Sequence, residues 1–223
     1  PKSREPAIKA SNNWPHLVSI AWTVIDTSDN FKTISSESHI VKPEWNIPAD
    51  STAIHGITQA KAEAEGVPLS TVIQKFFAVE HDMMLAHNMN FDYNVLVNAI
   101  MWDLKLGTIP DFKPKFCSME AMKNVMQIPY ANGRGFKPPK LTELYTYVVK
   151  KPFDSGLTHS AQYDTELLKT MWITKMSLNP RDIKINGNNL LHLACARGEV
   201  EAINYYLLKY PELFYVANSE GDT

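Results

Sequence analysis

The chain has 223 residues, 44% of them hydrophobic, and a formal net charge of −2. This length suits one sizeable core and a smaller second unit, while the near-neutral charge argues against a tight, sequence-independent grip on duplex DNA. No apolar run approaches the ~20 residues of a membrane-spanning helix, so we expect no membrane partner. Cys117 and Cys195 are isolated, which favours reduced thiols in an intracellular protein.

The first predicted elements form a hairpin. Alternating apolar residues predict strands from Leu17 to Ile25 and from Phe31 to Val41. Between them, Asp26 to Asp29 is rich in turn-forming residues. Proline punctuation predicts a loop from Lys42 to Ala53, and apolar spacing predicts a helix from Ser70 to Glu80.

The central part of the chain continues the alternation of strands and helices. Asp82 to His87 reads as a short strand, Asn88 to Asn90 as a turn, and Phe91 to Leu104 as a helix. A loop from Arg134 to Pro139 precedes a predicted helix from Leu141 to Val149. Such alternation predicts a three-layer α/β fold.

Two carboxylates fall on helix faces that should be apolar. At about 100° per residue, Asp164 shares a face with Ala161, Leu168 and Met171. A lone buried carboxylate costs several kcal/mol unless a cation, hydrogen-bond donors or a metal compensates it. Asp92 repeats this arrangement, although an acid in the first turn of a helix is also explained by the helix dipole.

A histidine precedes the second carboxylate. His159 lies five residues before Asp164, a separation that regular helix would turn through about 140°. The two side chains can therefore address one site only if His159 lies in the lead-in loop or a frayed first turn, for which Thr158 is a plausible N-cap. Other histidines, including His87, have no metal-ligand spacing.

These motifs resemble those of a known family. Asn88 to Asp92 (N-x-x-F-D) and His159 to Asp164 (H-x-A-x-x-D) resemble the second and third motifs of DnaQ-like (DEDDh) 3′→5′ exonucleases of the RNase H-like superfamily. The resemblance runs from about Trp14 to Lys175. Further matching segments come in the family's order: Ala53 to Thr58 (AIHGIT), Lys115 to Met122 (KFCSMEAM) and Pro138 to Tyr145 (PPKLTELY).

The resemblance implies a fold and a reaction. The fold would be an RNase H-like three-layer arrangement around a mixed, five-stranded sheet. Asp92 and Asp164 would help to hold two divalent cations, Mg²⁺ or Mn²⁺, and His159 would be the general base. The reaction would be metal-dependent hydrolysis of phosphodiester bonds at single-stranded or frayed 3′ ends of DNA or RNA.

The resemblance also implies substrate-binding residues. His55, Gly56 and Ile57 match the loop that contacts the terminal nucleotide, and Asn88 and Phe91 lie in the second motif. Each has a structural alternative that the residues leave open. Gly56 could be a turn glycine, Asn88 could cap the helix, and Phe91 could be a core residue rather than a stacking platform.

The first motif of the family, Asp-x-Glu, has no counterpart here. Glu5 is the only acid before Asp26, and Asp26 and Asp29 have the wrong spacing and suit a hairpin turn. We expect a fragment that starts after this motif, binds metal poorly and has little activity. The absent strand should leave a gap or a distorted pairing between the Leu17 to Ile25 strand and the strand ending at His87. The alternative is a catalytically inactive, nuclease-derived binding module.

The C-terminal part changes character. We expect an exonuclease domain over residues 1–176, a polar linker over 177–185 and an all-α segment over 186–223. GNNLLHLA from Gly187 resembles an ankyrin repeat, in which His192 is structural. Such repeats are stable only when several stack together. They imply a protein partner. In the binding-module alternative, these repeats rather than the nuclease domain carry the function.

Overall fold

The computed structural model describes residues 2–11, 13–29, 31–157, 159–177 and 195. The chain divides into two compact units, Pro1–Thr170 and Met171–Thr223. The first unit contains almost all of the described residues. The segments interpreted as a linker and an ankyrin repeat lie outside the described residues, except for residues 177 and 195.

An antiparallel hairpin opens the fold. Strand β1 (Ser19–Asp26) pairs with strand β2 (Lys32–Ile40), and the register shifts between Val24 and Ile25. The Asp26 carboxylate accepts hydrogen bonds from the Ser28 backbone N–H (2.7 Å) and hydroxyl (2.6 Å). This bonding closes the turn, which confirms that these acidic residues belong to a hairpin.

Three short helices come next. They are α1 (Ala49–His55), α2 (Gln59–Glu65) and α3 (Leu69–Phe77). The predicted loop from Lys42 to Ala53 is therefore wrong in its second half, because Pro48 caps a helix there. A proline lacks an N–H, which is no loss at a helix start where that group has no intrahelical partner.

A glycine permits a close crossing between β2 and the start of α3. Lys42 N–H donates to the Val67 carbonyl (2.8 Å), and Val67 N–H donates to the Ile40 carbonyl (2.9 Å). A Cβ atom on Gly66 would lie 2.5 Å from the Lys42 Cα atom and 2.2 Å from the Ala62 carbonyl oxygen. Only a residue without a side chain fits between these backbone segments.

Gly66→Ala is therefore expected to lower the free energy of unfolding by about 3 kcal/mol, the upper part of the range for overpacking. The clash is with backbone atoms, which cannot rotate away. Urea denaturation measures the change. Gly156→Ala is the control, because a Cβ atom there meets only the Asp154 side chain, at 3.3 Å. Equal stabilities of the two variants would contradict the packing argument.

The second half of the fold carries a parallel strand pair and the longer helices. Strand β3 (Met84–Ala86) pairs with strand β4 (Lys115–Cys117). Between them, α4 (Met89–Asn98) continues through a π-helical turn, Ala99–Asp103. The remaining helices are α5 (Ser118–Met126), α6 (Leu141–Val149) and α7 (Ala161–Ser177).

The strands form two separate sheets. Among the described residues, β1 pairs with β2 and β3 pairs with β4, with no hydrogen-bonded ladder joining the two pairs. The expected five-stranded mixed sheet is therefore not observed, because no described strand bridges β1 and β3. That these two strands do not pair with each other agrees with the predicted gap.

The core lies against α3 and α4. Val72, Val97, Ala99 and Ile100 are completely buried, and aromatic side chains from several elements surround them. The apolar residues at helical spacing from Asp92 are therefore core residues, namely Val95, Leu96, Ala99 and Ile100. No described helix has the length and apolar character needed to cross a membrane.

Candidate active site

Asp92 lies in the first turn of α4, directly after β3 and its turn. Water reaches this residue, yet the surrounding protein desolvates its carboxylate and raises the pKa to about 7, with a smaller contribution from the negative charge of Asp164. Asp92 is thus accessible to a small cation, while the protein around its carboxylate disfavours the charged form.

Asp164 lies in the first turn of α7 and is half-buried. Desolvation raises the pKa of its carboxyl group, while a hydrogen bond from the backbone N–H of His159 opposes this rise. The negative charge of Asp164 is close enough to raise the pKa of Asp92. The first turns of α4 and α7 therefore bring two like charges to one region. The resemblance implied such an approach of Asp92 and Asp164.

His159 lies just before α7 rather than within it. Its φ of 70° is left-handed, and its backbone N–H points to the Asp164 carboxylate oxygen Oδ1 at 3.4 Å. The predicted lead-in geometry is thus confirmed, whereas Thr158, the predicted N-cap, lies outside the described residues. A left-handed non-glycine residue costs about 1–2 kcal/mol, and such strain often marks functional sites.

The segment from His55 to Ile57 forms a tight turn. Gly56 ends α1 with a left-handed φ of 73°, so the turn-glycine explanation holds for its conformation. Ile57 N–H donates to His55 Nδ1 at 3.1 Å, which leaves the proton of the neutral ring on Nε2. That Nε2 is buried without a hydrogen-bond partner, and burial lowers the pKa of His55.

Asn88 and Phe91 border the same helix start as Asp92. Asn88 occupies the N-cap position with a φ of 68°, but its side chain makes no capping hydrogen bond. Phe91 is 39% exposed and tilts against Trp14 at a ring-centroid distance of 6.1 Å. Capping does not explain the Asn88 side chain, and Phe91 is not a core residue.

His87 links three segments of the fold, which the sequence did not indicate. Its Nε2 donates to the Pro139 carbonyl (3.0 Å), so in the neutral ring Nδ1 accepts from the Ser118 hydroxyl (3.0 Å). One ring thereby joins the β3 end to α5 and to the segment before α6. Burial lowers the pKa of His87, which keeps it neutral and in this arrangement.

His87 makes stability fall in mild acid. Its folded-state pKa is lower than that of the unfolded chain, so below about pH 6.5 the unfolded state takes up a proton that the folded state resists. The contribution of His87 to the free energy of unfolding is therefore fully present above this pH and is lost as the pH falls below it. We expect His87→Ala to cost about 1–3 kcal/mol at pH 8 and to flatten this pH dependence, measured by urea denaturation from pH 8 to pH 5. An unchanged slope would contradict the assignment.

The carboxylate pair fits part of a metal site. Among the described residues, no group of three or more His, Cys, Asp or Glu side chains is placed to hold a metal ion. Asp92 and Asp164 are nevertheless hard oxygen ligands of the kind that Mg²⁺ and Mn²⁺ prefer. Their desolvation and mutual repulsion would be relieved by a bound cation, so the donors present suit these ions.

Comparison with known proteins identifies the family. Residues 10–171 match the sequence profile of a family described as "Exonuclease" (RNase_T). The chain belongs to this exonuclease family. The matched region contains Asp92, His159 and Asp164, which places all three inside the family domain.

The exonuclease domain is similar to a curated polymerase. It is 24% identical over 162 residues to "DNA polymerase III PolC-type" from Mycoplasmopsis pulmonis (strain UAB CTIP), with 72% of this chain and 10% of the relative covered. The chain thus spans about a tenth of the length of this relative. The likeness concerns one domain of a much longer protein.

Solved structures support the same fold. Exonuclease X, in a complex with 5′-overhanging duplex DNA, matches with a TM-score of 0.51 and 23% identity, covering 73% of this chain and 84% of its own. E. coli Exonuclease I, in a complex with a dA16 oligonucleotide, matches with a TM-score of 0.54 and 17% identity. The match covers 79% of this chain and 41% of the Exonuclease I chain. The mixed α/β exonuclease fold is therefore confirmed.

Proposed function

We propose that this domain belongs to a metal-dependent 3′→5′ exonuclease that hydrolyses the terminal phosphodiester bond of DNA or RNA. The observation that carries the proposal is the approach of Asp92 and Asp164, since desolvation and the charge of Asp164 together raise the pKa of Asp92 to about 7. Membership of the exonuclease family supports the reaction class. The polarity rests on the resemblance to the DnaQ-like motifs.

Asp92 and Asp164 would be the ligands that this domain supplies to two divalent cations, Mg²⁺ or Mn²⁺. Such ions activate a water molecule and neutralise the leaving oxygen of a phosphodiester. His159, exposed beside Asp164, would accept the proton of the attacking water as general base. Its backbone N–H meanwhile orients the Asp164 carboxylate.

The substrate would be a single-stranded or frayed 3′ end. The DNA complexes of Exonuclease X and Exonuclease I contain an overhanging duplex and a single-stranded oligonucleotide, which supports this class for a related fold. His55, Gly56 and Ile57 would contact the terminal nucleotide, for which the open space beside Gly56 leaves room. Asn88 and the exposed edge of Phe91 would complete the contact.

A second candidate is a binding module that no longer cleaves. The observation that favours it is the small donor set, because the described residues bring no third metal ligand to Asp92 and Asp164. Such a module would bind a strand without needing a metal. Catalysis therefore separates the two candidates.

The decisive experiment uses the protein as its gene encodes it and a single-stranded oligonucleotide labelled at either end. With Mg²⁺ or Mn²⁺, a 3′ label should be released at once as a mononucleotide, whereas a 5′ label should appear in a ladder of shortening products. EDTA should stop both. Release of the 5′ label first would reject the polarity, and binding without any cleavage would favour the binding module.

A further inference from the structure

One stretch of the chain has a charge opposite to that of the whole. Residues 113–151 contain eight lysine or arginine residues and two acidic residues, whereas the whole chain has a net charge of −2. The basic residues lie mainly in the segments that flank the two helices, since α5 carries Lys123 beside Glu120 and α6 carries no basic residue. Such a concentration is the usual electrostatic mark of a nucleic-acid contact surface.

The segment after α5 is joined to the segment before α6. A β-bridge joins Pro129 to Phe136, and Lys137 N–H donates to the Ile128 carbonyl at 2.8 Å. An open groove runs beside them, lined by the end of α5, one side of α6 and residues 150–153. We call this groove and its basic rim the α5–α6 surface.

Lysines and aromatic rings are exposed together on the α5–α6 surface. Tyr147 is 41% exposed, and the Lys150 Nζ atom lies 4.8 Å from the centre of its ring. Lys150 and Lys151 are exposed, and no acidic side chain pairs with either within the described part of the chain. Lys137, in contrast, is neutralised by Glu143 at 2.7 Å. Free positive charge is thus concentrated beside Tyr147.

The α5–α6 surface is tied to both helices that carry the carboxylates. His87, at the entry to α4, donates to the Pro139 carbonyl just before α6. At the other end, the Asp154 N–H donates to the Tyr163 hydroxyl at 2.8 Å, one residue before Asp164. Hydrogen bonds therefore join this surface to the segments that carry Asp92 and Asp164.

We propose that the α5–α6 surface binds the single-stranded part of a nucleic acid and leads its end to the carboxylates. Lysines would contact phosphates, and Tyr147 would stack on a base, as aromatic side chains do in other single-strand grooves. Exposed rings favour a single strand over an intact duplex, whose bases are stacked on one another, and over an acidic peptide, which offers no bases. The direction of the strand rests on the proposed function, but the binding does not.

The test measures binding of a fluorescent oligo(dT) by anisotropy in EDTA, so that no cleavage interferes. Lys150→Glu with Lys151→Glu should weaken binding at least about tenfold at low salt and lower the slope of log K against log salt by about 0.7 per lost phosphate contact. The control is Lys9→Glu with Lys61→Glu. It makes the same charge change at two exposed lysines outside the α5–α6 surface and should change binding less than about twofold, since it removes no phosphate contact.

A second pair of variants separates stacking from charge. Tyr147→Ala should weaken binding by about fivefold or more, whereas Tyr147→Phe keeps the ring and should bind like the unmodified protein. Far-ultraviolet circular dichroism verifies that both are folded. Equal weakening by the two lysine pairs, no effect of Tyr147→Ala, or binding of poly-glutamate as tight as that of oligo(dT) would each overturn the proposal. Binding without cleavage would reject only the proposed function.

Discussion

Asp164→Asn is expected to reduce the rate of nucleotide release by at least about a thousandfold, because a carboxylate ligand that stabilises charge in the transition state contributes several kcal/mol. Asparagine keeps the size and one oxygen of the side chain but removes the charge. The backbone N–H of His159 can still donate to that oxygen, so the lead-in to α7 should keep its shape. The measurement is release of a 3′ label from a single-stranded oligonucleotide in Mn²⁺.

The same variant should change the titration of Asp92. Removing the charge of Asp164 removes one of the causes that raise the pKa of Asp92 to about 7, so this pKa should fall. NMR titration of the Asp92 carboxyl group without metal measures the shift. Because a cation binds the ionised form, metal affinity of the unmodified protein should rise as the pH increases towards 7 and level off above it.

Glu166→Gln provides the matched control on the same helix. Glu166 lies two residues after Asp164 and pairs with Lys169 at 2.5 Å, so its loss removes an acid of α7 without touching the proposed site. We expect activity within about twofold of the unmodified protein, as for most exposed ion pairs. Undiminished release by Asp164→Asn, or an equal loss in both variants, would reject Asp164 as a metal ligand.

Part of the geometry around the candidate site could be predicted because its signals are local. Helical periodicity placed Asp92 and Asp164 among apolar neighbours on their helices. The turn angle of a helix required His159 to lie outside regular helix if it shares a site with Asp164. The order of the motifs then indicated the family that residues 10–171 confirm. Residue roles, in contrast, depend on bound substrate and metal, and they stay predictions here.

The features that could not be predicted depend on contacts between distant segments. Gly66 is crowded by Lys42, which approaches it through space, as well as by the nearby Ala62 carbonyl, and His87 matters because Pro139 and Ser118 come to its two ring nitrogens. Neither pairing has a signature in the sequence. The α5–α6 surface was missed for a different reason. The net charge of −2 describes the whole chain, so it does not reveal a basic stretch that a count of charges along the sequence would have found.

The second large effect is expected at His159. His159→Asn should lower the rate of nucleotide release by about a hundredfold or more, which is the usual contribution of a general base. Asparagine tolerates the left-handed φ of 70° better than other non-glycine residues. The backbone N–H that points to Asp164 is also unchanged. The variant therefore removes the imidazole while the position of the chain is retained.

Three readouts distinguish proton transfer from a structural role of this histidine. Metal affinity of His159→Asn should equal that of the unmodified protein, because Asp92 and Asp164 remain. Added imidazole should partly restore the rate, since residue 159 is exposed and a small base can reach the water that the side chain would activate. Imidazole should not rescue Asp164→Asn, whose defect is a missing metal ligand. A loss of metal affinity in His159→Asn, or equal rescue of both variants, would instead mean that His159 supports the carboxylates and takes no proton.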